Sequence, residues 1–166
     1  MTELRVPKLL AIDDEPQSLG LIKDALSDLP LEILTADGAR TGLEIFKRAR
    51  PQIVLLDLMM PGVRGWEMLE WIMAADPGAE VILMTAHYST ESAVEAIQKG
   101  ACDYLNKPVS VEKLRRRISL LLSEADRSAH TKFRLAPTHI RAFIFPVISR
   151  TSARNLRARS PHSAMR

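Results

Sequence analysis

Cysteine is almost missing from this chain. Cys102 is the one thiol in 166 residues, so no disulfide can form within the molecule. That suits a reducing compartment. Long apolar runs are missing too, and no stretch approaches the uninterrupted length of a membrane span. Glu3, Arg5, Lys8 and Asp13 break up the N-terminal segment, which leaves no apolar signal-peptide core. The expectation is a soluble, cytoplasmic protein with no membrane partner. There is no Walker-type glycine-rich lysine motif. Acidic residues are missing from the C-terminal end. Residues 1–126 hold all 20 of them and carry a formal charge of −6, whereas 127–166 carry +9. The overall +3 therefore describes neither part.

What is present is a strand–helix alternation. The length suits one domain with an extension, and 46% hydrophobic content can fill a single core. Short apolar runs at 8–12, 31–35, 52–56, 79–84 and 102–105 predict strands buried on both faces, as in a parallel sheet. Helical stripes lie between and after them. They are Leu19, Ile22, Leu26 and Leu29; Ala39, Leu43 and Phe46; Leu69, Ile72 and Met73; Ala93, Ala96 and Ile97; and Leu114, Ile118 and Leu121. Asp37 and Ser110 are expected as N-caps, and Gly100 as a helix terminator. Five such units predict an α/β fold, an open doubly wound sheet with helices on both faces. In these sheets the site lies beyond the carboxyl ends of the strands, at the switch in strand order.

At those strand ends the sequence places one constellation. Asp13, Asp14 and Glu15 follow the first strand. The third runs into Asp57. Thr85 follows the fourth, and Lys107 with Pro108 the fifth. Singly, each is a turn, a cap or a loop residue; the conjunction at one rim is what discriminates. Clustered carboxylates repel one another unless a pKa rises or a cation binds. Mg²⁺ suits such a site, because it binds through one or two carboxylates and leaves room for phosphoryl oxygens. Asp57 can act as a nucleophile toward phosphorus. Lys107 supplies a point charge and Thr85 a hydroxyl donor for phosphoryl oxygens.

The stretches AIDDEP at 11–16, LLDLMMPGVRG at 55–65, ILMTA at 82–86 and DYLNKPV at 103–109 resemble the receiver domain of two-component response regulators. The resemblance covers roughly residues 6–125. It implies a flavodoxin-like, five-stranded parallel sheet of order 2-1-3-4-5 with five helices. It implies that Asp57 is the phosphoacceptor. Mg²⁺ would be held by Asp13, Asp14, Asp57 and the backbone carbonyl of Met59. Thr85 and Lys107 would contact the phosphoryl group, Tyr104 would be the switch aromatic, and the Lys107–Pro108 bond would be cis. A sensor histidine kinase would be the phosphoryl donor, docking near the first helix. A homodimer would use the face of the fourth helix, fifth strand and fifth helix. Such a protein is a phosphorylation switch and not an enzyme acting on other substrates. The fourth unit, TAHYSTESAVEAIQKGACDYLNKP, looks most like receivers joined to AAA+ activators of sigma-54-dependent transcription, so control of transcription is the expected output.

Other classes fit less well. A flavin-binding protein of the same fold needs a phosphate-cradling loop after the first strand, and none is there. An aspartate-based phosphatase needs a second aspartate two residues after Asp57, where Met59 stands. Arg115, Arg116 and Arg117 read as a solvated stripe on the fifth helix, and Met59, Met60 and Met68 as gap fillers. Trp66 and Trp71 sit five residues apart on the third helix and read as packing residues. The domains expected are a receiver at 1–125 and a basic tail at 126–166. For the tail, three readings compete: a disordered extension, an out-of-frame translation, or a basic arm that would make the protein a DNA-binding transcription regulator.

Overall fold

The computed structural model describes residues 6–131, with side chains described as far as residue 125. Five strands alternate with five helices among them: β1 Lys8–Ile12, α1 Pro16–Leu26, β2 Glu32–Ala36, α2 Ala39–Ala49, β3 Ile53–Asp57, α3 Gly65–Ala75, β4 Glu80–Thr85, α4 Thr90–Gln98, β5 Asp103–Asn106 and α5 Val111–Thr131. The strands form one parallel sheet in the order β2-β1-β3-β4-β5, as the resemblance implied.

Strand alternation explains the layering. Side chains two apart share a face of the sheet. Leu10, Ile12, Val54, Leu56, Val81 and Leu83 meet Phe46 of α2, Met68, Leu69 and Ile72 of α3, and Ala96 of α4. Their neighbours Leu9, Ala11, Ile53, Leu55, Ile82 and Met84 meet Ile22, Ala25 and Leu26 of α1 with Leu114, Ile118 and Leu121 of α5. The central strand β3 is buried along its whole length, whereas the edge strands β2 and β5 are partly open. No helix among the described residues is long and apolar enough to cross a membrane.

Several local expectations shift. β2, β3, β4 and β5 each lie one residue further along than their apolar runs. Polar end residues remain in the ladder: Asp57 pairs with Met84, and Thr85 with Asn106. The backbone does not care that these side chains are polar. α1 stops at Leu26, and Leu29 packs from the loop. Gly38, not Asp37, is the N-cap of α2, and no side chain caps it. Ser110 does cap α5, its Oγ accepting the Lys113 N–H at 3.1 Å. Gly100 ends α4 at φ 105°, a left-handed conformation open to glycine.

The arginine run is not a solvated stripe. Arg115 donates to both carboxylate oxygens of Asp28, at 2.5 and 2.7 Å, and to the Ala25 carbonyl at the end of α1. Arg117 Nη2 donates to the Cys102 carbonyl, and its Nε lies 2.9 Å from Asp103 Oδ2 without being aimed at it. Only Arg116, paired with Glu112 on its own helix, fits the expectation. The boundary expected at residue 126 falls inside α5, which runs to Thr131. Ala125, Arg127 and Ala129 favour helix by propensity where the apolar stripe has ended. The readings of the tail beyond it lie outside the described residues.

Gly65 brings the start of α3 against the strand that carries Asp57. A Cβ there would sit 2.5 Å from Leu58 Cα and 2.8 Å from the Asp57 carbonyl oxygen. Both obstacles are backbone, so neither can swing away. Gly65→Ala is expected to destabilise the fold by about 2 kcal/mol in urea unfolding. Gly20→Ala, in α1 with nothing within 4 Å of its added Cβ, should instead stabilise by up to about 1 kcal/mol. Equal effects at the two positions would remove the case for close packing at Gly65.

Candidate phosphoacceptor site

The carboxyl ends of β1, β3, β4 and β5 converge as expected. Asp13 is fully buried, Asp57 is 4% exposed and Thr85 is 2% exposed, while Asp14 is open to solvent. Two buried carboxylates demand partners. Lys107 Nζ provides them, 2.6 Å from Asp13 Oδ2 and 2.8 Å from Asp57 Oδ2. The remaining oxygens accept backbone N–H groups: Glu15 donates to Asp13 Oδ1 at 2.9 Å, and Met59 to Asp57 Oδ1 at 3.0 Å. Each aspartate thus bonds the backbone two residues ahead, a habit of this residue type in turns. Each has one oxygen fixed by its own loop and the other by the same ammonium.

Lys107 is itself positioned by the sheet. Its backbone N–H donates to the Thr85 carbonyl at 2.7 Å, prolonging the β4–β5 ladder beyond the strand ends. Burial pushes its pKa down, but the hydrogen bonds and charges of Asp13 and Asp57 outweigh that and hold it above the ordinary lysine value. The Lys107–Pro108 bond is cis.

Oxygen atoms of Asp13, Asp14 and Asp57 lie within 4.8 Å of one another. One ammonium faces three carboxylates, so negative charge is left over. A donor set made only of carboxylate oxygens fits a hard divalent cation of the Mg²⁺ kind. Met59 contributes its amide to Asp57, and its side chain is 57% exposed, so it is no gap filler. Met60 and Met68 are buried. Trp66 packs partly buried beside the core under α3, and Trp71 is exposed.

Thr85 Oγ1 accepts the His87 N–H at 3.0 Å. Its hydroxyl proton is not used in that bond. Tyr104 is buried and turned inward, its hydroxyl donating to Ser92 Oγ at 2.9 Å and its ring centroid 5.3 Å from that of Tyr88. Tyr88 and Ser92 were not singled out in the sequence, nor were the Glu15 and Met59 amides. Tyr88 and Ser92 carry no motif of their own, and backbone donors carry no sequence signal except the aspartates that bind them. Cys102 lies at the opposite end of β5, where burial and then Glu80 push its thiol up to about 12, so it is not a thiolate.

Beside the carboxylates runs a cavity of about 470 Å³. Asp13 and Lys107 are among its lining residues, with Leu21, Ile22, Val111 and Leu114 of α1 and α5. Leu21 and Val111 are exposed apolar residues on its rim.

Removing the ammonium leaves Asp13 and Asp57 buried together without a counter-charge. Lys107→Met is expected to cost about 2 kcal/mol in urea unfolding without divalent cations. Because the folded-state pKa of Lys107 is raised, its contribution is complete below the unfolded value of 10.5 and is lost as pH climbs through the folded one. The difference between wild type and Lys107→Met should therefore be flat across neutral pH and shrink only above that value. A difference that already shrinks below pH 9 would contradict this assignment.

Comparisons with known proteins agree with the fold and the strand-end motifs. A family model described as the response regulator receiver domain matches residues 9–119. The protein named as transcriptional regulatory protein TcrX of Mycobacterium tuberculosis is 32% identical over 114 residues, 69% of this chain and 49% of that one. Transcriptional regulatory protein GlrR of Escherichia coli is 32% identical over 128 residues, 77% of this chain and 29% of that one. The chain thus spans about half of the former's length and under a third of the latter's. Among solved structures, the signal receiver domain of a protein named as a LuxO repressor from Vibrio parahaemolyticus superposes with a TM-score of 0.72 at 33% identity, covering 76% of this chain and 97% of that one. With the family model covering most of the folded unit, this chain belongs to the response regulator receiver domain family.

Proposed function

We propose that Asp57 accepts a phosphoryl group from a phosphohistidine of a sensor histidine kinase, and that the resulting acyl-phosphate switches the conformation of the domain. The observation that carries this reading is the Asp57 carboxylate itself. It sits at the end of the central strand, shares Lys107 with Asp13, and has Asp14 within reach. An Asp57 oxygen attacks phosphorus as the phosphorus–nitrogen bond breaks, and the electron pair returns to the donor imidazole.

Asp13, Asp14, Asp57 and the Met59 carbonyl would hold Mg²⁺, which supplies charge neutralisation as two anions approach. The protein groups do the rest. Glu15 and Met59 amides keep Asp13 and Asp57 from rotating. Once Asp57 is esterified, its oxygens hold less charge than the phosphoryl oxygens, so Lys107 is drawn to the latter. Thr85 donates its free hydroxyl proton to another phosphoryl oxygen. These new contacts favour an active conformer already present in the ensemble. The groove beside α1 gives the kinase an apolar seat that reaches Asp13 and Lys107, the two neighbours Asp57 shares its site with. Tyr88 and Val94 leave apolar surface around α4 for a second copy of the domain. Control of transcription is the output this reading assigns, by likeness to the regulators named above.

Incubation with acetyl phosphate and Mg²⁺ should add one phosphoryl group, seen by intact mass. Asp57→Asn and excess chelator should each abolish the gain. Asp14→Asn, at an exposed position, should fold normally yet slow the gain at least ten-fold. A phosphoryl group on the Asp57→Asn protein would place the acceptor elsewhere.

A further inference from the structure

The fourth helix begins with an unusual cap. Ser89 is its N-cap, with Oγ accepting the Ser92 N–H at 3.1 Å. Ser92 answers by accepting the Ser89 N–H at 3.1 Å, which closes a capping box. The third helical position of such boxes usually holds a glutamate or glutamine, whose longer arm reaches back. Here the arm is a serine hydroxyl, and the box is not all it serves. The Tyr104 hydroxyl donates to the same Ser92 oxygen at 2.9 Å, from β5.

A hydroxyl has two lone pairs and one proton. Ser89 N–H and Tyr104 O–H take both lone pairs of Ser92 Oγ. Its proton goes to the Ser89 carbonyl at 3.0 Å or to Ser89 Oγ at 2.9 Å. The Ser92 hydroxyl is therefore filled, and one of its partners belongs to another element. The rest of α4 offers little to hold it, because Ala96 is its one buried residue. The link into α4 is tied at its other end by Thr85 Oγ1, which accepts the His87 N–H. Between the two ties, the Tyr88 ring lies against Tyr104.

We infer that Ser92 is a positioning residue that makes the N-terminal cap of α4 depend on the inward Tyr104. When Tyr104 leaves, Ser92 loses a partner, the box loosens, and the first turn of α4 frays. When Tyr104 is seated, the first turn is locked to β5. The use of this coupling as the exit route of a signal rests on the reading of Asp57 as phosphoacceptor, but the coupling itself does not.

The test is amide hydrogen exchange on the full chain, read by NMR at Ser92 and Ala93, with the β3 amides as reference. Tyr104→Phe keeps the ring and removes one hydroxyl. It should speed exchange at Ser92 and Ala93 about five-fold and leave the β3 amides unchanged. In a Ser92→Ala background the same tyrosine substitution should add nothing, because the shared node is gone. Unchanged exchange on Tyr104→Phe in the otherwise wild-type chain, an equal effect with and without Ser92→Ala, or an equal rise at the β3 amides would each overturn the inference. Phosphorylation by acetyl phosphate, followed by mass in the same samples, reports separately on Asp57. A protein that takes no phosphoryl group while Tyr104→Phe still frays α4 would refute the phosphoacceptor reading and keep this one.

Discussion

Two buried carboxylates sharing one ammonium is the constraint on which this molecule turns. Asp13 and Asp57 end neighbouring strands, and Lys107 reaches them from the end of β5, with β4 lying between. Without Lys107 both carboxylates would be buried with no counter-charge. The reach is possible because the Lys107 backbone is held to the Thr85 carbonyl, which sets the root of the side chain at the rim. The sheet order, the strand lengths and the loop after β5 all have to be right for a single nitrogen to touch both oxygens. That pair of contacts also fixes what the site can do. Asp57 has no idle oxygen: one is bound by an amide and the other by Lys107. A change of charge at Asp57 alters its pull on Lys107, which ties it to the end of β5.

Burial divides three identical side chains into distinct parts. Asp13 is sealed and serves the architecture as much as the chemistry. Asp57 is nearly sealed, at the end of the central strand. Asp14 is open, and it brings the charge that Lys107 cannot offset. The surplus is what suits the site to a hard cation. Gly65 belongs to the same design. It lets α3 start directly against the backbone of Asp57 and Leu58.

Much of this was legible in the residues. The apolar runs gave the strands because a strand covered on both faces has no choice of composition, and the residues at their ends gave the cluster at the rim, the candidate site, because an α/β sheet gathers strand ends in one place. What was not legible has physical reasons. The strands ran one residue past their apolar runs because backbone ladders accept Asp57 and Thr85 as readily as leucine. Arg115 and Arg117 looked solvated because sequence separates them by many residues from Asp28 and Asp103, their partners in space. Asp37 looked like a cap because its type suits the role, yet the chain reaches α2 through an extended Gly38. Ser92 was passed over for the opposite reason: a serine inside a helix pattern carries no signal until the tyrosine facing it is placed.

The two helices beside β5 are anchored very differently. α5 buries Leu114, Ile118 and Leu121, and its arginines grip the end of α1 and the start of β5. α4 buries a single alanine and leans on a cap made of serines. Elements that move in switching come from the weakly held end of the stability range. On the proposed reading, the firmly packed α5 and the lightly tethered α4 on the same flank would divide the labour. The first would supply a fixed frame, and the second something a few hydrogen bonds can shift. Both are joined to the carboxylate site through β4 and β5, whose last residues, Thr85 and Asn106, are still paired where the chemistry begins.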